Sequence, residues 1–215
     1  MLAGVALAWL RLVPALAGFA LFALGGLVCL VASLAALVGL LRGRSVAPGG
    51  VVALAGAAVL IAAALPGMGV PRINDFTTDL ADPPAFVAAA ALAPNVGRSM
   101  DYPPAFAAEQ RSCCADLRPA RLSAPPAEAF ARVQAVASAM PAWTVIASDP
   151  ATGRLEAVVT TRVFGFQDDV AIRVRPAPDG GSVVDVRSKS RDGKGDLGAN
   201  ANRIRAFVAR LEERA

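Results

Sequence analysis

The reading of the chain turns on Thr161-Arg-Val-Phe-Gly-Phe-Gln-Asp-Asp-Val-Ala-Ile-Arg-Val-Arg175 and, after a turn, Val183-Val-Asp-Val-Arg-Ser-Lys-Ser-Arg191. Successive side chains of a strand point to opposite faces, and both segments alternate accordingly. Val170, Ile172 and Val174 share one face, with Ala171, Arg173 and Arg175 on the other. In the next strand Val184, Val186, Ser188 and Ser190 hold the inner phase, with Asp185, Arg187, Lys189 and Arg191 opposite. Asp179-Gly-Gly181 between them is strong hairpin chemistry. Upstream, Trp143 to Ser148 and Arg154 to Phe164 read as two further strands. Asp149-Pro-Ala-Thr-Gly153 turns the chain between those two, and Gly165 to Asp169 reads as the next turn.

Helical patterns flank these strands. Pro125 to Met140 repeats apolar residues at Phe130, Val133, Val136 and Met140, one face of a helix. A last helix is expected to start at Asp196, a good N-cap, with a stripe of Ile204, Phe207, Val208 and Leu211. At 100° per residue Asn200 lies roughly 40° from Ile204. A buried amide there needs hydrogen-bond partners, and backbone groups or Ser188 and Ser190 on the inner sheet face are the expected ones. The fold class is therefore α+β: a two-layer sandwich of helix, four-stranded antiparallel meander and helix over residues 125–215, preceded by two transmembrane helices.

Composition separates the chain into unlike halves. Of 215 residues, 55% are hydrophobic and the net charge is +4. Every acidic residue lies after position 70, whereas Arg11, Arg42 and Arg44 are the charged side chains before it. The remainder carries 18 basic against 17 acidic residues and is nearly neutral. Its arginines alternate with carboxylates, so the basic stripe of a nucleic-acid binder is missing despite a pI near 9.5. There is no histidine, which removes the commonest general base and a common metal ligand. No cofactor motif is found, and no metal site is expected. Cys113 and Cys114 are adjacent; a vicinal disulfide, a bond between chains and two loop thiols are the alternatives, with thiols the plainer reading.

Two uncharged runs, about 12–41 and 51–70, meet the length of roughly 20 apolar residues that a transmembrane helix needs. They form a hairpin around Arg42-Gly-Arg44, with Pro14 near the start of the first helix and Gly25 and Gly26 suited to close packing on the second. Basic residues in that turn favour its cytoplasmic placement. Both termini are then expected outside the cytoplasm, with the domain in the periplasm and the anchor in the inner membrane. Residues 71–124 form a proline-rich lead, read as a wrap or a tether. It contains an echo, Asp82-Pro-Pro-Ala-Phe86 and Tyr102-Pro-Pro-Ala-Phe106, which reads as compositional chance.

Three segments resemble the bacterial and plastid family called domain of unknown function 1499. They are Pro71-Arg-Ile-Asn-Asp-Phe-Thr-Thr-Asp79, Thr161 to Val170, and Val186-Arg-Ser-Lys-Ser-Arg-Asp-Gly-Lys-Gly-Asp-Leu-Gly-Ala-Asn200 with Arg203 and Ile204. The resemblance covers roughly residues 71–213. The chain departs from it at Cys113-Cys114, where an aromatic-proline sequence is expected before Asp116-Leu-Arg-Pro119. The resemblance implies an extracytoplasmic or lumenal domain behind membrane helices, and no established activity.

The candidate ligand-binding residues are Arg162, Asp168, Asp169, Arg173, Asp185, Arg187, Ser188, Ser190, Arg191, Asn200 and Arg203. Arg162, Arg173 and Arg187 are expected side by side on the outward face, with Glu156 and Asp185 among them. The plainer reading is a solvated lattice of cross-strand ion pairs, each worth roughly 0.2–1 kcal/mol. The functional reading is a fork-like site for a carboxylate, phosphate or headgroup, or a face that docks a protein. Asp168 and Asp169 read as turn carboxylates that pair with Arg162 or Arg191. The expected function is a membrane-anchored module binding an envelope protein or a small anionic ligand. The alternatives are an enzyme of unknown reaction built on Asp168, Asp169 and nearby arginines, or a lipid-handling protein.

Overall fold

A computed structural model describes residues 1–213; Arg214 and Ala215, the end of the expected domain, lie outside the described residues. The chain divides into two compact units.

The first unit comprises Met1–Met68 with Arg162–Gly165. Helix α2 (Ala15–Leu41) and helix α3 (Pro48–Ala64), which a 3-10 turn (Leu65–Gly67) extends, pack as a hairpin. Both are long and apolar enough to cross a membrane, with mean hydropathies of 2.6 and 2.1. Their leucines and valines are largely exposed instead of filling a core, as on helices that face lipid. Pro14 caps α2, where its missing N–H costs nothing. A Cβ at Gly26 would lie 2.8 Å from Leu60 of α3, so this glycine does let the helices approach. Gly25 instead faces Met1. The sequence pattern had not suggested α1 (Leu2–Trp9), which packs on α2 and at eight residues is too short to cross a bilayer. Phe164, in the turn segment of this unit, meets Phe19 and Phe22 edge to face at 5.4 and 5.6 Å.

The second unit comprises Gly69–Thr161 and the chain from Phe166 onward. Its centre is the expected meander: β3 (Trp143–Asp149), β4 (Arg154–Thr160), β5 (Gln167–Pro176) and β6 (Ser182–Ser190), each antiparallel to the next. The lead adds β1 (Asp75–Thr77) and β2 (Ala120–Leu122), both antiparallel to β6 on its free edge. The sheet therefore has six strands, ordered β1-β6-β5-β4-β3, with β2 beside β6. Two strands missed from the sequence are only three residues long, too short to show a period.

Helices α5 (Pro126–Ala139) and α6 (Ala199–Glu212) cover the inner face. Val133, Val136, Ile204, Phe207 and Leu211 meet Leu155, Val170, Ile172, Val184 and Val186 there, each at most 2% exposed. Burying one such side chain contributes about 1.5–3 kcal/mol, so this layer dominates stability. The outer face is covered as well. Phe86 and Ala89 from the lead pack on Ala171, with Met100 and Ile146 beside them. Helix α4 (Phe106–Cys113) packs Phe106 and Cys113 against the inner-face core instead, so the proline-rich stretch is ordered by packing on both sides of the sheet.

Three boundaries differ from expectation. Strand β4 ends at Thr160, and residues 161–166 make the turn. Asp168 and Asp169 consequently lie inside β5, not in a turn. Asp196 does cap the last helix, but from two residues before Gly198, the N-cap: its carboxylate accepts from the Gly198 and Asn200 N–H groups at 2.8 and 2.7 Å.

Candidate functional site

The candidate residues separate into two clusters on opposite faces of the sheet, with one residue apart. Arg162 is exposed in the turn of the first unit and does not join Arg173 and Arg187. This corrects the expected row of three arginines, because the strand that was to carry Arg162 stops two residues earlier.

The inner cluster forms where α6 crosses the ends of β5 and β6. Ser188, Ser190 and Asn200 are buried. Ser188 Oγ donates to Asn200 Oδ1 at 2.6 Å, and Asn200 Nδ2 donates to Ser190 Oγ at 2.8 Å and to the Asn74 carbonyl at 3.4 Å. The two serine partners are the ones the spacing predicted. Arg203, one turn along α6, donates to Ser188 Oγ at 2.9 Å, to Asn200 Oδ1, and to Asp168 Oδ2. Burial raises the Asp196 carboxyl above its ordinary value and the nearby Asp168 charge adds to this, while bonds from the Asn200 and Gly198 N–H groups oppose it.

The outer cluster is a chain of ion pairs under the wrap. Asp185, with 0% exposure, accepts from Arg173 Nε at 3.0 Å and from Arg175 Nε at 2.7 Å. Arg173 also reaches Asp82 at 2.7 Å, and Arg175 reaches Asp79 at 3.2 Å. Arg187 pairs with Asp75 and donates to the Pro84 and Met100 carbonyls. Its guanidinium carbon lies 4.7 Å from the centroid of Phe86 and 5.6 Å from that of Tyr102. The two Pro-Pro-Ala-Phe echoes thus converge on Arg187 through different members. Asp169 accepts from Arg191 at 2.6 Å and from Asn95 Nδ2 at 2.8 Å. Lys189 Nζ donates to Asp75 at 2.9 Å, so it lies on the face opposite Ser188 and Ser190.

This arrangement corrects the picture of a solvated outward face. The wrap buries Asp75, Asp169, Asp185 and Arg187, while Asp82 and Arg175 at the margin stay 73% and 43% exposed. Glu156 holds no arginine, and its carboxylate accepts the N–H groups of Val87, Ala88 and Ala89 at 2.8, 3.0 and 2.8 Å. Sequence reasoning missed Asp75, Asn95, Tyr102 and Gln110, all in the lead. Gln110 clamps β1, donating to the Thr77 carbonyl at 2.6 Å and accepting the Thr77 N–H at 3.0 Å. A signal was present at Asp75-Phe-Thr-Thr78, where strand-forming residues follow an acid. A further correction concerns Cys113 and Cys114, whose sulfurs are bonded to each other.

Chemically, the clusters hold charges in place. Asp168 and Asp169 point through opposite faces and pair with different arginines, so they do not work as one acid–base couple. Among the described residues no three Cys, Asp or Glu groups gather where a metal would be held. One open concave feature is a cleft of about 100 Å³ between the wrap and the sheet, lined by Asp82, Pro84, Arg154, Glu156 and Arg173 among others. Arg154 is exposed at its rim.

The fold and its locked charge clusters define a wrapped α+β sandwich that follows an apolar helical hairpin. Residues 75–211 match the model of a family described as "Protein of unknown function (DUF1499)", and the chain belongs to that family. No curated protein matches it in a sequence comparison.

Proposed function

We propose that the chain is a membrane-anchored docking module of the cell envelope, with its domain on the extracytoplasmic side, that binds a protein partner and does not transform a substrate. The observation that carries this reading is the occupation of the candidate side chains by one another. A catalytic acid, base or anion fork needs free lone pairs or N–H groups aimed at a substrate. Here Asp168, Asp169, Asp185, Arg173, Arg187, Arg191 and Arg203 spend theirs inside the domain. The cleft beside Arg154 supports a protein over a small ligand: about 100 Å³ admits a side chain, whereas small-molecule sites run to roughly 300–1,000 Å³. An acidic side chain of the partner suits Arg154, which stands outside the ion-pair lattice, opposite Asp149 across the β3–β4 pair.

Placement draws on three features. The two apolar helices supply the anchor. Arg42 and Arg44 in their turn favour the cytoplasm, which leaves the domain on the other side. The Cys113–Cys114 bond is of a kind that persists in oxidising compartments.

The test is photocrosslinking in intact cells from a benzoylphenylalanine at Thr144, an exposed position on β3, in otherwise unaltered chain and with Arg154→Glu. The expected result is one discrete adduct that Arg154→Glu abolishes. An unchanged adduct, or none, would remove the docking reading. Labelling of Asp179→Cys by a membrane-impermeant maleimide in cells with a permeabilised outer membrane checks the side; protection until the inner membrane is broken would reverse it.

A further inference from the structure

We propose that the β4–β5 turn is a second membrane contact, seated in the interfacial layer of the bilayer, where Arg162 binds anionic phospholipid headgroups. The proposal rests on the reading of α2 and α3 as membrane spans.

Depth is the first argument. Helix α2 has 27 residues and is about 40 Å long, at 1.5 Å per residue. The hydrocarbon core is about 30 Å thick, so about 5 Å at each end of an upright α2 lies among headgroups. Phe19 stands four residues after Ala15, near that boundary, and the Phe164 ring packs on it and on Phe22. The turn segment therefore belongs to the headgroup end of the helical unit, not to its middle.

Chemistry is the second. Val163, beside Phe164, is 49% exposed, an apolar side chain facing outward at the depth where acyl chains begin. Arg162 is exposed and makes no hydrogen bond or ion pair among the described residues, unlike the arginines of the sheet faces. Near the same end of α2, Trp9 is 68% exposed and Arg11 is exposed. An aromatic ring with arginine is the usual composition of a membrane interface. No acidic residue occurs in this unit, whose charged side chains are all arginine. Its interfacial rim is accordingly cationic, and the matching surface is a bilayer that carries negative headgroups.

The experiment uses the full chain in vesicles, in a Cys29→Ala background, with a spin label at one of three positions. Val163→Cys reports the turn, Val28→Cys the middle of α2, and Asp179→Cys a turn in the second unit. The reading is the ratio of accessibility to oxygen over that to a water-soluble nickel chelate. At Val163 we expect a ratio several-fold above that at Asp179 and below that at Val28. Adding phosphatidylglycerol to phosphatidylcholine vesicles is expected to raise the Val163 ratio further, and Arg162→Gln to cancel that rise. A Val163 ratio equal to that at Asp179, with Val28 still deep, overturns the second contact and leaves the anchor standing. An aqueous ratio at Val28 overturns the anchor and this proposal with it. No response to phosphatidylglycerol overturns the headgroup assignment.

Discussion

Arg187 on β6 and Asp75 on β1 close a bidentate ion pair across the sheet edge. Nε lies 3.0 Å from Oδ1 and Nη2 lies 2.8 Å from Oδ2, and neither side chain is more than 3% exposed. The pair ties a segment that precedes the domain by sequence to its central strands. Arg187→Ala strands the Asp75 charge with Lys189 alone. Breaking a buried pair from one side costs about 3–5 kcal/mol, a large share of the 5–15 kcal/mol typical of a domain. Urea denaturation of the purified chain in detergent measures it; a loss below about 1 kcal/mol, the range of exposed pairs, would show the pair to be peripheral.

Tyr102 is the chain's single tyrosine, and its hydroxyl donates to Gln110 Oε1 at 3.2 Å. Burial raises its pKa well above the ordinary 10.0, and the Asp75 charge adds to the shift. The folded state thus keeps the proton that the unfolded state releases. Its contribution to stability is complete below pH 10 and is lost as pH rises toward the folded pKa. The phenolate absorbance band is expected to appear together with loss of tertiary circular dichroism, not before it. A band that titrates near pH 10 in a folded chain would contradict the buried placement.

Gly153, in the β3–β4 turn, has φ +65°, and a Cβ there would lie 2.4 Å from the Val174 carbonyl oxygen. Gly180 has φ +87° but open space around it. Gly180→Ala carries backbone strain alone, about 1 kcal/mol. Gly153→Ala carries the same strain and a backbone collision, so its loss of stability should be clearly the larger. Equal thermal shifts for the two variants would refute the close approach.

Cys113 and Cys114 are bonded, and Cys29 is free. Protein from native membranes, denatured without reductant, is expected to alkylate at Cys29 alone; with reductant all three cysteines react. Alkylation of Cys113 and Cys114 before reduction, read by peptide mass, would mean that the pair is a dithiol in the cell.

The inner layer was legible because its signals are local. Alternation in 170–174 and 184–190 and the stripe on the last helix each occupy a few adjacent residues, and their phases alone set Asn200 toward Ser188 and Ser190. The lead was not legible. Its order comes from Glu156 bonding Val87, Ala88 and Ala89, from Gln110 clamping Thr77, and from Arg187 holding Asp75 and the Pro84 carbonyl. Those partners stand 33 to 112 residues apart, and a segment held this way has no period of its own to read.

By itself, the sequence determined the apolar hairpin and the faces of the central strands, since both follow from side-chain spacing along one element. Tertiary structure alone decided what becomes of the charges. An outward arginine in a strand is the same letter whether water or a wrap covers it. The difference lies in whether Asp75, Asp79 and Asp82 return to meet it, and chain folding brings those carboxylates back. The same return covered the centre of a face that read as solvated, left Asp82 and Arg175 at its margin, and moved the open chemistry to Arg154 and to the turn at Arg162.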